Sequence, residues 1–374
     1  MNRDKLYGDI LNTLGAPAPQ NKFTRLIING VEAGLYTLSD AITNSRYLRN
    51  TLNKGEKYKV PNALFKADYY EAGKVFGNLE YGAPTDIYAY KGEDKTADEK
   101  TMIKNVLEPF IYEISQYPKT NKLNFDTESF FKFMALEYAA GAIDNFWFRP
   151  GNYYVYKDIE KNYWHFLDAD FHFTFGSGIG GVVSDTKPLL DATIENYAKT
   201  NTGMPNSARP LLDNLRKNPK NEAFFMDTFK KMTQTVFNLN ALEARIDAMA
   251  DLIREDVYWD LKLEKLSTFV SEKLKVYNFS EDDFESQVKD VEAAPGQTNN
   301  YPIKYWIKTR QESLAQQLGI TIPDKVEAPL GYYEPLVHKS EKKIFGESAD
   351  SSGTITNGFY SLAIITVITL ILLL

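Results

Sequence analysis

Leu6, Ile10, Leu11 and Leu14 recur at three- and four-residue steps, which places them on one side of a helix, and Gly15 supplies a stop. The next stretch, "RLIINGVEAGLYTL", has two short apolar runs around Asn29-Gly30. Asn-Gly accepts the left-handed angles of a tight two-residue turn, so this reads as a β-hairpin. A helix is expected around 41–52, and strands at 63–70 and 86–90. Residues 97–117 carry a helical stripe of Met102, Val106, Leu107, Phe110 and Ile111, and a second strong helix is expected from about Thr127 to Asn145, with Asp126 as N-cap. Strands at 152–157 and 163–175 follow, joined by the polar turn "KDIEKN". From about 189 to 318 the pattern is mostly helical; 319–358 is polar, contains Pro, has no clear period and reads as a stalk.

The stretch 165–176, "HFLDADFHFTFG", is the odd one in this pattern. As a strand it has a wholly apolar face of Leu167, Ala169, Phe171, Phe173 and Phe175, and a polar face of Asp168, Asp170, His172 and Thr174. Asp is depleted in strands, so two in register need a reason. Same-face neighbours lie roughly 6.5–7 Å apart, close enough for the carboxylates to converge on metal ions. The plain alternative is the solvated face of an amphipathic strand. The following "GSGIGG" lacks the Lys and the spacing of a phosphate-binding P-loop and reads as a flexible loop beside the aspartates.

Composition narrows the picture. The chain has 374 residues, 43% of them hydrophobic, enough for a sizeable core in one large domain or two closely joined ones. The net charge of −7, with no basic stretch interleaved with stacking aromatics, argues against a nucleic-acid partner. With no cysteine, disulfides and thiolate metal sites are excluded. Residues 359–374, "FYSLAIITVITLILLL", are uncharged and end the chain. As a helix they would span about 24 Å, short of the roughly 30 Å hydrocarbon core. Small polar residues precede this tail, as in a GPI-attachment signal, with the anchor expected between Ser348 and Gly353 and Ser351 favoured. A tail-anchored transmembrane helix is the alternative. The opening "MNRDKLYGDILNTLG" has no apolar signal-peptide core, so a GPI tail requires a leader upstream of Met1. Asn278-Phe279-Ser280 is a glycosylation sequon.

The polar residues with chemical promise are Asp144, Asn152, Asp168 and Asp170. All offer hard oxygen, which suits Mg²⁺, Mn²⁺ or Ca²⁺ over zinc. His172 reads as a hydrogen-bond partner of a carboxylate, Asn145 as a helix terminator, and Arg149 as a salt-bridge or anion-binding residue. An acid at a helix C-terminus, as expected for Asp144, opposes the macrodipole and argues for a functional role. The order Asp, Asn, Asp is that of protein-kinase sites, where one Asp positions the hydroxyl while Asn and Asp hold magnesium on ATP. The eight-residue step from Asp144 to Asn152 is longer than in that loop.

On "INGVEAGLYTLSD" (28–40), "NALFKADYY" (62–70), "AIDNFWFRPGNYYVY" (142–156), "WHFLDADFHFTFG" (164–176) and, more weakly, "YWIKTRQESLAQQL" (305–318), the chain resembles the CotH family of atypical secretory kinases, above all the CotH-like surface proteins of moulds. The resemblance covers 1–318. It implies an α+β chain with a divergent protein-kinase-like fold, here N-terminally truncated because the upstream part of the nucleotide lobe is missing, and with a mostly helical C-terminal half. It implies phosphorylation of Ser or Thr in secreted or cell-surface proteins with ATP and Mg²⁺ (or Mn²⁺). Carried over, Asp144 is the catalytic base, Asn152, Asp168 and Asp170 hold metal with Asp168 ranked first, and Lys66 contacts phosphate. Asp40 stands where the family usually has Glu, as a further cofactor-binding candidate. The mould group's link to host invasion implies a host-cell receptor as a possible partner and a GPI-anchored surface location. Two other readings remain on the residues alone. A glycoside hydrolase would use paired carboxylates with Trp147 and Trp164 as sugar platforms, and a calcium-stiffened adhesin would have no catalysis.

Overall fold

The structure is a computed structural model that describes residues 2–70, 75–178, 186–200, 208–263, 280–289 and 300–325. Helix α1 (Asn2–Thr13) turns at Gly15 with φ 71° and leads into the hairpin β1 (Asn21–Ile28) and β2 (Val31–Ser39). Asn29 and Gly30 both sit at positive φ, 53° and 83°, as the two-residue turn requires. Helix α2 (Ser45–Leu52) is capped by the Asn44 side chain, which accepts from the Arg46 amide.

A four-stranded antiparallel sheet follows, built from β3 (Ala63–Ala67), β6 (Tyr88–Tyr90), β7 (Tyr153–Asp158) and β8 (Tyr163–Asp168) in the order β6-β3-β7-β8. The short pair β4 (Tyr69–Tyr70) and β5 (Val75–Phe76) lies between β3 and β6 in sequence. Register sets the faces. Phe65, Val155 and Phe166 are directly opposed, as are Ala67, Tyr153 and Asp168, and these side chains point into the main core. Leu64, Tyr156 and Leu167 point the other way, against Leu48 of α2 and Ile42.

The main core forms around α5 (Thr127–Ala140), whose residues from Phe133 to Ala140 are all buried. Asp126 caps it by accepting from the Ser129 amide at 3.2 Å. Phe166 meets Phe130, Phe133 and Phe146 at ring separations of 5.1, 5.6 and 5.6 Å. Before α5, α3 (Glu99–Met102) passes through one π-turn (Ile103–Leu107) into α4 (Glu108–Thr120). The C-terminal half is helical: α6 (Lys187–Asp191), α7 (Pro210–Arg216), α8 (Pro219–Thr235), α9 (Leu239–Lys262), α10 (Glu281–Val288) and α11 (Ile303–Leu318). Helices α8 and α11 pack on α5. The first hairpin docks on α9 through Arg25 to Asp256 and through the Leu35 amide to Asp260 Oδ1 at 2.9 Å. The fold is α+β, as expected.

Two expected boundaries are corrected. The helix ends at Ala140, with Gly141 in the left-handed region at φ 63°, and not at Asn145. Asp144 therefore lies on the following loop, and the helix-dipole argument for it falls away. The strand ends at Asp168, not 175, because its ladder partner runs out: Asn152, before Tyr153, sits at φ 47°. Asp170 itself has φ 62°, which no strand residue adopts. Ser351, Asn278, the tail and the stalk from residue 326 on lie outside the described residues, as does the second half of "GSGIGG". Among the described residues no helix is long and apolar enough to cross a membrane.

Candidate functional site

Register decides the fate of Asp168. Because it faces the same way as Phe166 and Trp164, its carboxylate enters the core and is only 1% exposed. The expected wet polar face does not exist there. Instead Tyr7 of α1 donates its hydroxyl to Asp168 Oδ2 at 2.9 Å, and Asn145 Nδ2 donates to Oδ1 at 2.7 Å. The Ala169 amide adds a bond to Oδ1 at 3.0 Å. Asn145 is thus no helix terminator: it is buried, it also bonds the Ala169 carbonyl at 2.8 Å, and it holds the end of β8 to the loop after α5.

Asp144 lies beside it in sequence, 2% exposed. Its Oδ2 accepts from Asn152 Nδ2 at 3.0 Å. Its Oδ1 has no donor, and neither has Asn145 Oδ1. Buried oxygens without a donor are uncommon and ask for a missing partner. The carboxylates also feel each other. Burial pushes Asp168 up to about 7 against the bonds from Asn145, Tyr7 and the Ala169 amide, and the Asp144 charge adds to the rise. Burial likewise pushes Asp144 up to about 7; Asp170 adds to this, while His172 and Arg149 oppose it. A cation beside these groups would satisfy the free oxygens and relieve the repulsion, so the residues fit a hard divalent ion.

The remaining candidates spread outward. Asp170 is exposed, and its carboxylate lies against His172 Nδ1, as expected for His172. Arg149 sits with its guanidinium 5.8 Å from the Phe76 ring. Lys66, on β3, reaches Asp68 at 3.4 Å. Lys66 pairs with Tyr154 of β7 across the sheet, and burial, then Asp68 and Asp170, raise the Tyr154 hydroxyl. Asp40 is exposed and accepts from the Gln20 amide at 3.0 Å, closing the base of the first hairpin. The structure brings Asp144, Asn152, Asp168 and Asp170 together and leaves Asp40 apart. Trp147 and Trp164 are buried, 4% and 2% exposed, so neither offers a face to a sugar.

Three important residues were not singled out from the sequence. Tyr7 is one. The second is Glu137, fully buried on α5, whose carboxylate accepts from the Phe146 amide at 3.1 Å and the Trp147 amide at 2.6 Å. The third is Arg209, also buried, which donates to the carbonyls of Phe146, Trp147 and Phe148 at 3.1, 2.8 and 2.8 Å. Glu137 collects the amides of this loop and Arg209 its carbonyls, so Asp144 and Asn145 are held from both sides. Burial and the Asp168 charge push Glu137 well above the ordinary range. The signal for Glu137 was present: it continues the helical spacing of Phe130, Phe133 and Met134 as the only acid on that buried stripe. Arg209, 63 residues along from Phe146, carried no such signal.

The family model described as CotH kinase protein matches residues 1–312. The invasin CotH2 of Rhizopus delemar is 25% identical over 88% of this chain and 54% of its own length. The invasin CotH3 of the same mould is 24% identical over 88% and 53%. Its spore coat protein homolog 1 is 23% identical over 85% and 50%. The chain thus spans about half the length of the curated relatives it matches. With a family match that runs from α1 into α11 and takes in every acidic group of the site, the chain belongs to the CotH kinase protein family.

Proposed function

We propose that this chain carries a phosphotransferase site that uses ATP with Mg²⁺ or Mn²⁺ to phosphorylate Ser or Thr of secreted or cell-surface proteins, on a divergent protein-kinase-like fold. The observation that carries this is the buried group of Asp144, Asn145 and Asp168, with two donor-free oxygens and two carboxylates raised to about 7. A divalent ion bound there supplies positive charge against the phosphates. Asp168 and Asn145 are the residues that would hold it, since they are buried and mutually fixed. Asp144 offers Oδ1 to the acceptor hydroxyl, and Asn152 holds its other oxygen still. A base that titrates near neutrality can take a hydroxyl proton without being permanently ionised. Glu137 and Arg209 keep the loop that carries Asp144 from drifting, which matters because small misplacements lose catalysis by orientation. Lys66 is the proposed phosphate contact, and it would have to leave Asp68 to reach one.

A surface location is part of the same reading. The relatives' names, invasin and spore coat protein homolog, fit it. Their invasin names also favour a second reading, adhesion to a host receptor, which does not exclude transfer. The decisive assay is phosphate transfer from ATP to a secreted-protein mixture by the full-length protein. Asp168→Asn should abolish transfer, and Asp144→Asn should lower it about 10²–10⁴-fold, both with binding to host cells intact. Wild-type transfer by both variants would remove the kinase reading. Loss of host-cell binding in both, with the fold kept, would tie adhesion to this site.

A further inference from the structure

An ionised carboxylate offers roughly four acceptor positions, about two on each oxygen. At Asp168 most of them are taken. Asn145 Nδ2 and the Ala169 amide fill Oδ1 at 2.7 and 3.0 Å, and the Tyr7 hydroxyl takes one position on Oδ2 at 2.9 Å. A single position remains, on Oδ2. Among the described residues Tyr7 is the only donor on that oxygen, so its bond is what resists a turn of the carboxylate about Cβ–Cγ from the Oδ2 side. Tyr7 has little room to follow such a turn. It is fully buried, its ring stacks on Phe171 at 4.3 Å and meets Phe175 edge-on at 6.5 Å. One turn earlier on α1, Arg3 donates to the Thr174 carbonyl at 3.0 Å and the Tyr301 carbonyl at 2.7 Å, which ties the helix end to the loop after β8 and to the segment before α11. A carboxylate turned away would leave the Tyr7 hydroxyl buried and without its acceptor, which is costly.

We propose that Tyr7 is a positioning residue that biases the choice of ion at Asp168: it holds the carboxylate so that only one of its oxygens is open, which favours Mg²⁺ and disfavours Ca²⁺. This rests on the divalent ion of the reading above. Mg²⁺ keeps several of its waters and takes one or two carboxylates, while Ca²⁺ takes roughly six to eight oxygens and often both oxygens of one carboxylate. Contact through both oxygens of Asp168 requires the turn about Cβ–Cγ and the loss of the Tyr7 bond. Giving up one hydrogen bond to a charged group costs Ca²⁺ about tenfold in affinity. Phe at position 7 keeps the ring against Phe171 and removes that cost. Mg²⁺, which needs one oxygen, gains nothing from the change.

The test uses the full chain without nucleotide. After chelation, the affinities for Mg²⁺ and for Ca²⁺ are measured by isothermal titration calorimetry, and the melting temperature is read with each ion. Tyr7→Phe should raise the ratio of Ca²⁺ affinity to Mg²⁺ affinity about tenfold, and the melting temperature should rise more with Ca²⁺, relative to Mg²⁺, than in wild type. A general loss of stability weakens both ions alike, so the ratio reports the hydroxyl. Phe171→Leu is the structural control. It removes the ring that Tyr7 stacks on and leaves the hydroxyl, so it should lower the melting temperature and keep the wild-type ratio. Asp168→Asn should weaken both ions. An unchanged ratio in Tyr7→Phe overturns the proposal, as does an equal shift in Phe171→Leu, which would make packing the cause. Undiminished binding in Asp168→Asn overturns it too, because the ion would then lie elsewhere. If wild type binds neither ion, this proposal and the metal reading fail together. If the ratio shifts as described but wild type transfers no phosphate, only the kinase reading fails.

Discussion

Asp168 is a carboxylate taken almost wholly out of water, and its three hydrogen bonds only partly offset that. The fold raises it from an ordinary 3.8 to about 7. Between those limits the folded chain keeps a proton that the unfolded chain has released. The native state then binds more protons, so stability falls as pH rises through roughly 4 to 7 and levels off above. Asp144 has the same sign and nearly the same window. Asp168→Asn removes one of these titrations without altering shape. Its amide can face Tyr7, whose hydroxyl turns to accept, while Oδ1 keeps Asn145 and the Ala169 amide. The variant, freed of metal, should be more stable than wild type at pH 8, with about 4 kcal/mol as a ceiling, and should differ little at pH 4. Urea unfolding at both pH values checks this; equal pH dependence of the two proteins would show that Asp168 does not carry the shift. A divalent ion should restore wild-type stability at pH 8 and do less for the variant.

At the scale of elements, the site is a junction closed by one indole. Trp306 of α11 lies between Gly141, which ends α5, and Gly176, which ends the loop after β8. A Cβ on Gly141 would come within 2.3 Å of the Trp306 ring, and one on Gly176 within 2.6 Å. Both glycines also have positive φ, so an L side chain is strained there regardless of space. Trp306 Nε1 bonds the Ala139 carbonyl at 3.0 Å, which fixes the ring over the helix end. Gly141→Ala should cost about 2–4 kcal/mol. In a Trp306→Ala background the same change should cost only the backbone part, about 1 kcal/mol. A double-mutant cycle by denaturant unfolding measures the difference, and additive effects would mean the close approach is not what makes glycine necessary.

At the scale of the whole molecule, four separate stretches of chain meet at one buried acidic group: α1, the loop after α5, the end of β8 and, through Arg209, the start of α7. The C-terminal tail belongs to this scale too, since a GPI signal there would set where the domain works. If 359–374 is a GPI signal, the mature surface protein should end between Ser348 and Gly353, and a phosphatidylinositol-specific lipase should release it from cells. Recovery of a peptide spanning Leu362 to Leu374 from the mature protein would overturn this.

Local pattern was sufficient for much of the fold. The Asn29-Gly30 turn, the Asp126 cap, the strand at β3 and the helical stripes lie within short windows, where period and cap chemistry act directly. The motif residues Asp144, Asn152, Asp168 and Asp170 were legible for the same reason, as unusual acids and amides beside aromatic runs. Where those side chains point was not. Alternation read past residue 168 as one long strand, because hydrophobic period cannot report where a ladder partner ends, and Asn152 ends it with a positive φ. Asn145 read as a helix terminator, because the pattern does not show that Gly141 had already stopped the helix. Tyr7, Glu137 and Arg209 lie far from Asp168 in sequence, and only folding makes them neighbours. Residue types and periods are properties of the chain and can be read along it. Burial, the raised carboxylates and the free oxygen of Asp144 come from long-range packing and low local dielectric, which exist only once the chain has closed on itself.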